Sequence, residues 1–391
     1  MEYDAAIIGA GAAGLMCAMV AGGRGKRVLL LEHASEPGQK ILISGGGRCN
    51  FTNLDTAPDR FLSNNPHFGK SALKRFTQHD FLALVEKHGI AWHEKTLGQL
   101  FCDGSARQIV SLLLAECAAV HVDLRTGHRV TAITRADRFR IATDHGEFTS
   151  KTLVLATGGL SIPKMGATGF ALDIARQFGL RVEKPRAGLV PLTLGAGDLA
   201  WSQSLAGVSL DVVATCNARS FREAMLFTHR GLSGPAVLQI SSYLQEGESL
   251  ILNLLPGQDS AAFLLDRKAT RPKAELKTVL SEVLPQRLAQ ALEPIELSKR
   301  PMADLRNADL HRLAELLKHW TLLPTGSEGY AKAEVMAGGI DTAGLSQRTM
   351  EAREIPGLYV IGEAMDVTGW LGGYNFQWAW STGWCAGMAI E

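Results

Sequence analysis

Residues 2–14 read E-Y-D-A-A-I-I-G-A-G-A-A-G, and after an Ala- and Gly-rich run residues 27–32 read R-V-L-L-L-E. The spacing predicts a short apolar strand over 5–8, a tight turn at Gly9-x-Gly11-x-x-Gly14, a helix of small residues, and a second apolar strand over 28–31 that ends on an acid. Each part has a mechanical role in gripping a dinucleotide. Gly9 permits the turn, Gly11 lets a pyrophosphate approach the backbone, and Gly14 lets helix and strand pack closely. The unpaired N–H groups that open the helix, at Ala12 and Ala13, favour an anion. Glu32 stands where a carboxylate would accept hydrogen bonds from ribose hydroxyls. Strand, helix, second strand and acid together make this far more specific than a bare glycine motif.

Outward from that unit, residues 35–50 read S-E-P-G-Q-K-I-L-I-S-G-G-G-R-C-N. A glycine triplet is too flexible for an ordinary helix or strand and implies close backbone approach to something. Lys40 and Arg48 flank it, a setting suited to phosphate recognition, with Gly46, Gly47, Cys49 and Asn50 beside them. Residues 71–89 carry Leu73, Phe76, Phe81, Leu82 and Val85 at helical spacing, with Gly89 as a stop. A second amphipathic helix is expected over 106–117, and W-H-E-K-T-L-G-Q-L-F-C-D (92–103) reads as a hairpin. Strands alternate over 128–155, a run that includes Val130, and the last ends on Ala156-Thr157-Gly158-Gly159, small residues able to lay backbone against a flat cofactor.

The texture turns β-rich over about 188–254, with the polar F-T-H-R-G-L-S-G-P-A at 227–236. Over 259–322 it turns helical and basic, with Arg267, Lys268, Arg271, Lys273, Arg287, Lys299, Arg300 and Arg306. Glycine-rich signals return at E-V-M-A-G-G-I (334–340). G-L-Y-V-I-G-E (357–363) then ends a strand on Gly362-Glu363, and D-V-T-G-W-L-G-G-Y-N-F-Q-W-A-W-S-T-G (366–383) follows. Gly372-Gly373 should open a final helix whose N-terminus can stabilise the negative charge of a reduced flavin. The tryptophans 370, 378, 380 and 384 read as packing rather than base stacking. The expected organisation is a Rossmann-type α/β domain from 1–187 and 335–391, a β-rich domain from 188–255 and 323–334, and a helical insert over 256–322.

The totals narrow the class. The chain has 391 residues, and 40 Lys+Arg stand against 39 Asp+Glu, so net charge singles out no partner. No apolar run approaches the roughly 18 residues of a membrane span. A strand starts within a few residues of the N-terminus, which argues against a signal peptide. The six cysteines form no CxxC pair and no zinc spacing. Reduced thiols, a cytoplasmic location and no metal are the expectation.

Four stretches, G-A-G-A-A-G, S-G-G-G-R-C-N-F-T-N, F-T-H-R-G-L-S-G-P and G-E-A-M-D-V-T-G-W-L-G-G-Y-N-F-Q-W-A-W-S, occur in order along the chain. Together they resemble the YhiN-like bacterial FAD flavoproteins. L-G-Q-L-F-C-D (97–103) and T-M-E-A-R (349–353) resemble the subgroup proper, whereas the wider family more often has proline at Cys102 and Ser-Lys at Ala352-Arg353. Those departures weaken transfer from the bile-acid branch, whose members reduce a steroid C=C bond. The resemblance implies FAD across the Rossmann-type domain and an NADH-dependent ene reductase. In the YhiN branch the substrate is a uridine of large-subunit ribosomal RNA, reduced to dihydrouridine. The candidate cofactor set is completed by Asp366, Asn375 and Phe376.

Reduction of uracil C5=C6 needs a hydride at C6, a proton at C5 and a donor near O4. Cys49 and Cys102 are the leading thiols for the proton, Tyr374 the leading phenol, and His229 with Arg230 the leading O4 or phosphate partner. With no second complete glycine motif, the nicotinamide of NADH or NADPH is expected to bind transiently. RNA contacts would draw on Lys70, Lys74, Arg75 and the basic insert. Two other readings stay open: a small-molecule ene reductase or amine oxidase, and a non-catalytic FAD-bound factor that associates with RNA.

Overall fold

The computed structural model describes residues 2–292 and 300–391. The chain forms two compact units, one of Met1–Ala187 with Val335–Glu391 and one of Gly188–Glu334. Lys299, counted above among the basic residues, lies outside the described residues.

The first unit is Rossmann-type. Strand Glu2–Ile8 runs parallel to Val28–Leu31 on one side and to Gly146–Leu155 on the other. Asp123–Arg125 extends the parallel set beyond Val28–Leu31, and Leu358–Val360 pairs in parallel with residues 153–155. The segments 5–8, 28–31, 153–155 and 358–360 of these strands are apolar and buried, as the centre of a parallel sheet requires. The other half of Gly146–Leu155 pairs antiparallel with Phe139–Thr143, which pairs with Val130–Arg135. The carboxyl ends of five parallel strands therefore bring Gly9, Glu32, Ala156 and Gly362 to one edge, where nucleotides bind in such sheets.

Helix Ala12–Gly23 leaves that edge and packs against the final helix, Tyr374–Ala389. The two approach closely because small residues face each other: a Cβ on Gly383 would lie 2.5 Å from the Ala13 carbonyl oxygen. Both ends of this unit's sequence thus meet in one helix pair.

The spacing over 71–89 predicts one helix; the structure has two, Gly69–Arg75 and Gln78–Lys87. Thr77 breaks the run as an N-cap. Its hydroxyl accepts from Asp80 N–H while the Asp80 carboxylate accepts from Thr77 N–H at 2.7 Å, a reciprocal capping box. Phe76, left extended, offers its carbonyl to Gln377 Nε2 (3.1 Å) and Ser381 Oγ (2.7 Å) of the final helix. Apolar periodicity carried no sign of that break. The hairpin is present as Trp92–Glu94 and Gln99–Cys102, in a three-stranded sheet with Asn50–Asn53.

The second unit holds a seven-stranded antiparallel sheet in the order Trp320–Leu322, Leu250–Asn253, Ser209–Cys216, Arg219–Phe227, Gly231–Ser233, Leu192–Leu194, Pro324–Ser327. Its helices include Ser260–Thr270 and Asn307–Lys318, which pack together. Among the described residues no helix is long and apolar enough to cross a membrane.

Candidate active site

The first turn of Ala12–Gly23 separates two kinds of glycine. Gly9, at φ +105, and Gly14 are demanded by the protein itself. A Cβ on Gly9 would sit 2.6 Å from the Ala156 carbonyl oxygen, and one on Gly14 would run into Gly9. Gly11 is different. Its φ of −82 and ψ of −167 suit any residue, and a Cβ there would meet no atom within 4 Å. Nothing in the fold requires glycine at that position, whereas a ligand lying against the helix N-terminus would.

Across the edge, Thr157 Oγ1 is buried and has no hydrogen-bond partner among the described residues. Orphaned buried hydroxyls are uncommon in native proteins and ask for an explanation. Gly46 and Gly47, at φ +66 and +84, likewise face open space, and beside them the Arg48 side chain is exposed. An empty glycine cradle, an unpaired hydroxyl at the strand ends and a free guanidinium beside left-handed glycines fit a dinucleotide.

Glu32 is nearly buried and organises the turn: Oε2 accepts from Ala10 N–H at 2.8 Å and Oε1 from Ala34 N–H at 2.9 Å. A carboxylate offers about four acceptor sites, so capacity for ribose hydroxyls remains. Val130 lies two residues beyond His128, whose N–H donates to the Glu32 carbonyl at 2.9 Å.

Lys40 is committed elsewhere. Its ammonium donates to Glu363 Oε2 at 2.6 Å and to Ser161 Oγ at 2.5 Å. Ser161 Oγ also donates to Glu363 Oε1 at 3.0 Å, and Met336 N–H donates to the same oxygen at 2.9 Å. Glu363 is thus a hub joining four segments. Its carboxylate is largely satisfied, which leaves the backbone of Gly362–Ala364 as the part able to face a ligand. Ser161, fully buried, had no sequence signal; only the fold brings it to Lys40 and Glu363.

The S-G-G-G-R-C-N-F-T-N segment and the final helix are laced together. Asn53 Nδ2 donates to the Gly372 carbonyl at 2.9 Å, and Thr52 Oγ1 donates to Gln377 Oε1 at 2.7 Å. With its amide oxygen turned to Gly373 N–H (3.2 Å), Asn50 donates to the Leu100 and Thr52 carbonyls at 3.1 Å. Asn375 closes its own turn, accepting from Gly369 N–H at 2.8 Å and donating to the Gly369 carbonyl at 2.9 Å. Phe376 stacks on Trp380 with centroids 5.6 Å apart. Asp366 is buried and accepts from Asn64 N–H at 3.0 Å; burial raises its carboxyl above the usual range. Trp378 and Trp380 are fully buried, and Trp380 stacks on Phe81 at 4.2 Å.

The three candidate proton donors have different surroundings. Cys49 and Cys102 adjoin, Cys102 N–H donating to the Arg48 carbonyl, and neither has any exposure. Burial pushes the Cys49 thiol up to about 12 and the Cys102 thiol up to about 11. Tyr374 is the first residue of the final helix, its ring edge-on to Phe61 and Trp370 at 6.2 Å.

His229 and Arg230 belong to the second unit, at the tip of the Arg219–Phe227/Gly231–Ser233 hairpin. Thr228 fixes that tip, accepting from the N–H groups of Arg230 and Gly231 at 3.2 and 3.1 Å. Both side chains project to solvent, with Arg230 3.9 Å from Glu328.

The sequence matches the family described as HI0933-like protein Rossmann domain over residues 3–389. The chain belongs to this family. It is 54% identical over 389 residues to the ribosomal RNA dihydrouridine synthase of Escherichia coli K12, covering 98% of this chain and 97% of that one. It is 46% identical to the protein of the same name from Haemophilus influenzae Rd, covering 98% of each. A 3-dehydro-bile acid delta(4,6)-reductase of Clostridium scindens is 31% identical, again over 98% of each chain.

Proposed function

We propose that this protein is an FAD-dependent reductase that uses NADH or NADPH to convert a uridine of ribosomal RNA to dihydrouridine. The observation that carries the reading is the 54% identity, end to end, with a ribosomal RNA dihydrouridine synthase. Support for the reaction class comes from the more distant relative: its name also describes reduction of C=C bonds, on a steroid rather than a base. Support for the nucleotide comes from the empty side of Gly11, the orphaned Thr157 hydroxyl and the Glu32 carboxylate beside the same turn.

Bound FAD would supply the hydride that the uracil ring receives. The chain's own residues do the rest. Gly11, Ala12 and Ala13 present N–H groups to the pyrophosphate, with Arg48 beside Gly46 and Gly47 as an exposed cation. Glu32 holds the ribose, and the Gly362–Ala364 and Gly372–Gly373 backbones face the ring system. Of the proton donors, Tyr374 is favoured: it is buried like the two cysteines, but it opens the final helix directly after Gly372–Gly373, the turn proposed to face the ring system. Burial makes the thiolates of Cys49 and Cys102 costly to form, so both thiols are weak acids. His229 and Arg230, exposed on a hairpin tip, suit the RNA backbone.

Mass spectrometry of ribosomal RNA from a strain lacking this protein tests the substrate. The expected result is loss of a two-hydrogen mass increment at one uridine, restored by the parent gene; unchanged RNA overturns the reading. Rapid bleaching of bound flavin by NADH separates a reductase from a factor that merely carries FAD. In single turnover, Tyr374→Phe is expected to slow flavin reoxidation by RNA about 100-fold, while Cys49→Ala and Cys102→Ala stay near the parent.

A further inference from the structure

The hairpin that follows Trp92–Glu94 turns through Thr96-Leu97-Gly98-Gln99, closed by Gln99 N–H to the Thr96 carbonyl at 3.1 Å. Its two central residues are both left-handed, Leu97 at φ +54 and Gly98 at φ +74. Such turns favour Asn followed by Gly, because a bulky side chain is strained at positive φ. Leucine recovers little here through packing. It is 63% exposed, the most exposed of the large apolar side chains among the described residues. A strained residue with an unburied side chain points to function rather than folding.

Its position is set with care. Asn53 Nδ2 donates to the Leu97 carbonyl at 3.0 Å and to the Gly372 carbonyl at 2.9 Å, so one amide fixes both the turn tip and the approach to Tyr374. Leu54 N–H donates to the Gly98 carbonyl at 2.8 Å. A Cβ on Gly98 would touch Asn53 Oδ1 at 2.8 Å, and one on Gly372 would touch Gln99 Nε2 at 2.9 Å. Next to the tip, exposed Lys95 lies 5.5 Å from the Phe101 ring centroid, with Glu94 its acidic neighbour.

Resting on the reading that the substrate is a uridine in RNA, we propose that Leu97 is a wedge. It enters the base stack beside the target uridine and holds the gap left when that base swings out. A base cannot react at its C5=C6 edge while stacked, and proteins that open a stack do so with rigid apolar side chains. Leu97 meets each requirement: apolar, exposed, on an inflexible turn, and hydrogen-bonded through one side chain to the segment that opens the candidate active site. It is a positioning residue and touches no reacting atom.

The test compares L97N and L97M with the parent on oligouridylate and on a synthetic stem–loop with uridine in a stacked loop and 2-aminopurine as its 3′ neighbour. Asparagine suits the turn, so L97N is expected to melt no lower than the parent and to bleach with NADH at the same rate. On oligouridylate it should match the parent. On the stem–loop its turnover should fall about ten-fold or more, with the rise in 2-aminopurine fluorescence on binding lost, and L97M should keep both. Fluorescence and turnover are read separately. A parent that forms dihydrouridine in neither RNA overturns the functional reading. Equal fluorescence and equal stem–loop turnover for parent and L97N overturn the wedge.

Discussion

Cys49 illustrates how burial decides what a side chain can do. It sits at φ +52 with no exposure, and all six cysteines are free and buried. Burial pushes Cys49 and Cys117 up to about 12, and Cys102 and Cys385 up to about 11. Since the thiolate is the reactive form, the folded protein at about pH 8 should give almost no titre with a thiol reagent, and six thiols once unfolded. Asp366 carries the opposite consequence for stability. Its carboxyl is raised, burial being the largest cause, so the folded state binds the proton more tightly than the unfolded one. The stabilisation from that proton is complete below the unfolded carboxyl range and is lost as pH rises through the raised value. Asp366→Asn keeps an oxygen for Asn64 N–H and removes the buried charge. The melting temperature of this variant, relative to the parent, is therefore expected to climb from about pH 4 to about pH 7; a difference that stays flat over that range would contradict the assignment.

The helix pair Ala12–Gly23 and Tyr374–Ala389 depends on what is missing from its interface. A Cβ on Gly383 would crowd the Ala13 carbonyl and Met16 Cβ, and one on Gly387 would lie 2.7 Å from Val20 Cβ. Gly383→Ala must push the helices apart, at a cost of about 1–3 kcal/mol for overpacking. Because Ala13 lies in the same helical turn, two residues after Gly11, that shift should also loosen FAD retention in gel filtration. Thr77→Ala provides the contrast. It removes one half of the capping box of Gln78–Lys87 and should lower stability by about 1 kcal/mol, with FAD retention unchanged. If both variants lose FAD alike, the helix contact is not what holds the cradle.

The chain's charge is nearly balanced, and several cations of the helical insert are bonded within the protein. Arg267 bonds Asp266 and Glu282, Arg271 bonds Glu282, Lys268 bonds the Leu305 carbonyl and Asn307, and Arg306 bonds Asp309. Arg75 lies over the Trp384 ring and donates to the Arg348 carbonyl. Among the described residues of 259–322, these cations are engaged internally, while Lys273 and Arg300 remain exposed. Binding to RNA should release few counterions. Affinity is expected to fall about 10- to 40-fold between about 50 and about 200 mM salt, as two or three phosphate contacts would give. A drop of three orders of magnitude would show a basic face that these ion pairs conceal.

The strand–turn–helix unit proposed to hold the dinucleotide was legible in the one-dimensional chain because its parts are local. Strand, Gly9, Gly11, Gly14, helix and Glu32 fall within about thirty consecutive residues, and each glycine answers a backbone requirement that spacing expresses directly. The hairpin over 92–103 and the helix start after Gly373 were legible for the same reason. The Lys40–Ser161–Glu363 cluster was not, since its members are far apart in sequence and meet only where parallel strands end together. The helix break at Thr77 escaped periodicity because the Phe76 carbonyl is claimed by Gln377 and Ser381, some three hundred residues away. The pairing of the basic residues and the exposure of Leu97 were likewise settled in three dimensions. Local backbone chemistry is written in order along the chain, whereas burial, charge neutralisation and the company a side chain keeps depend on which distant segments the fold brings against it.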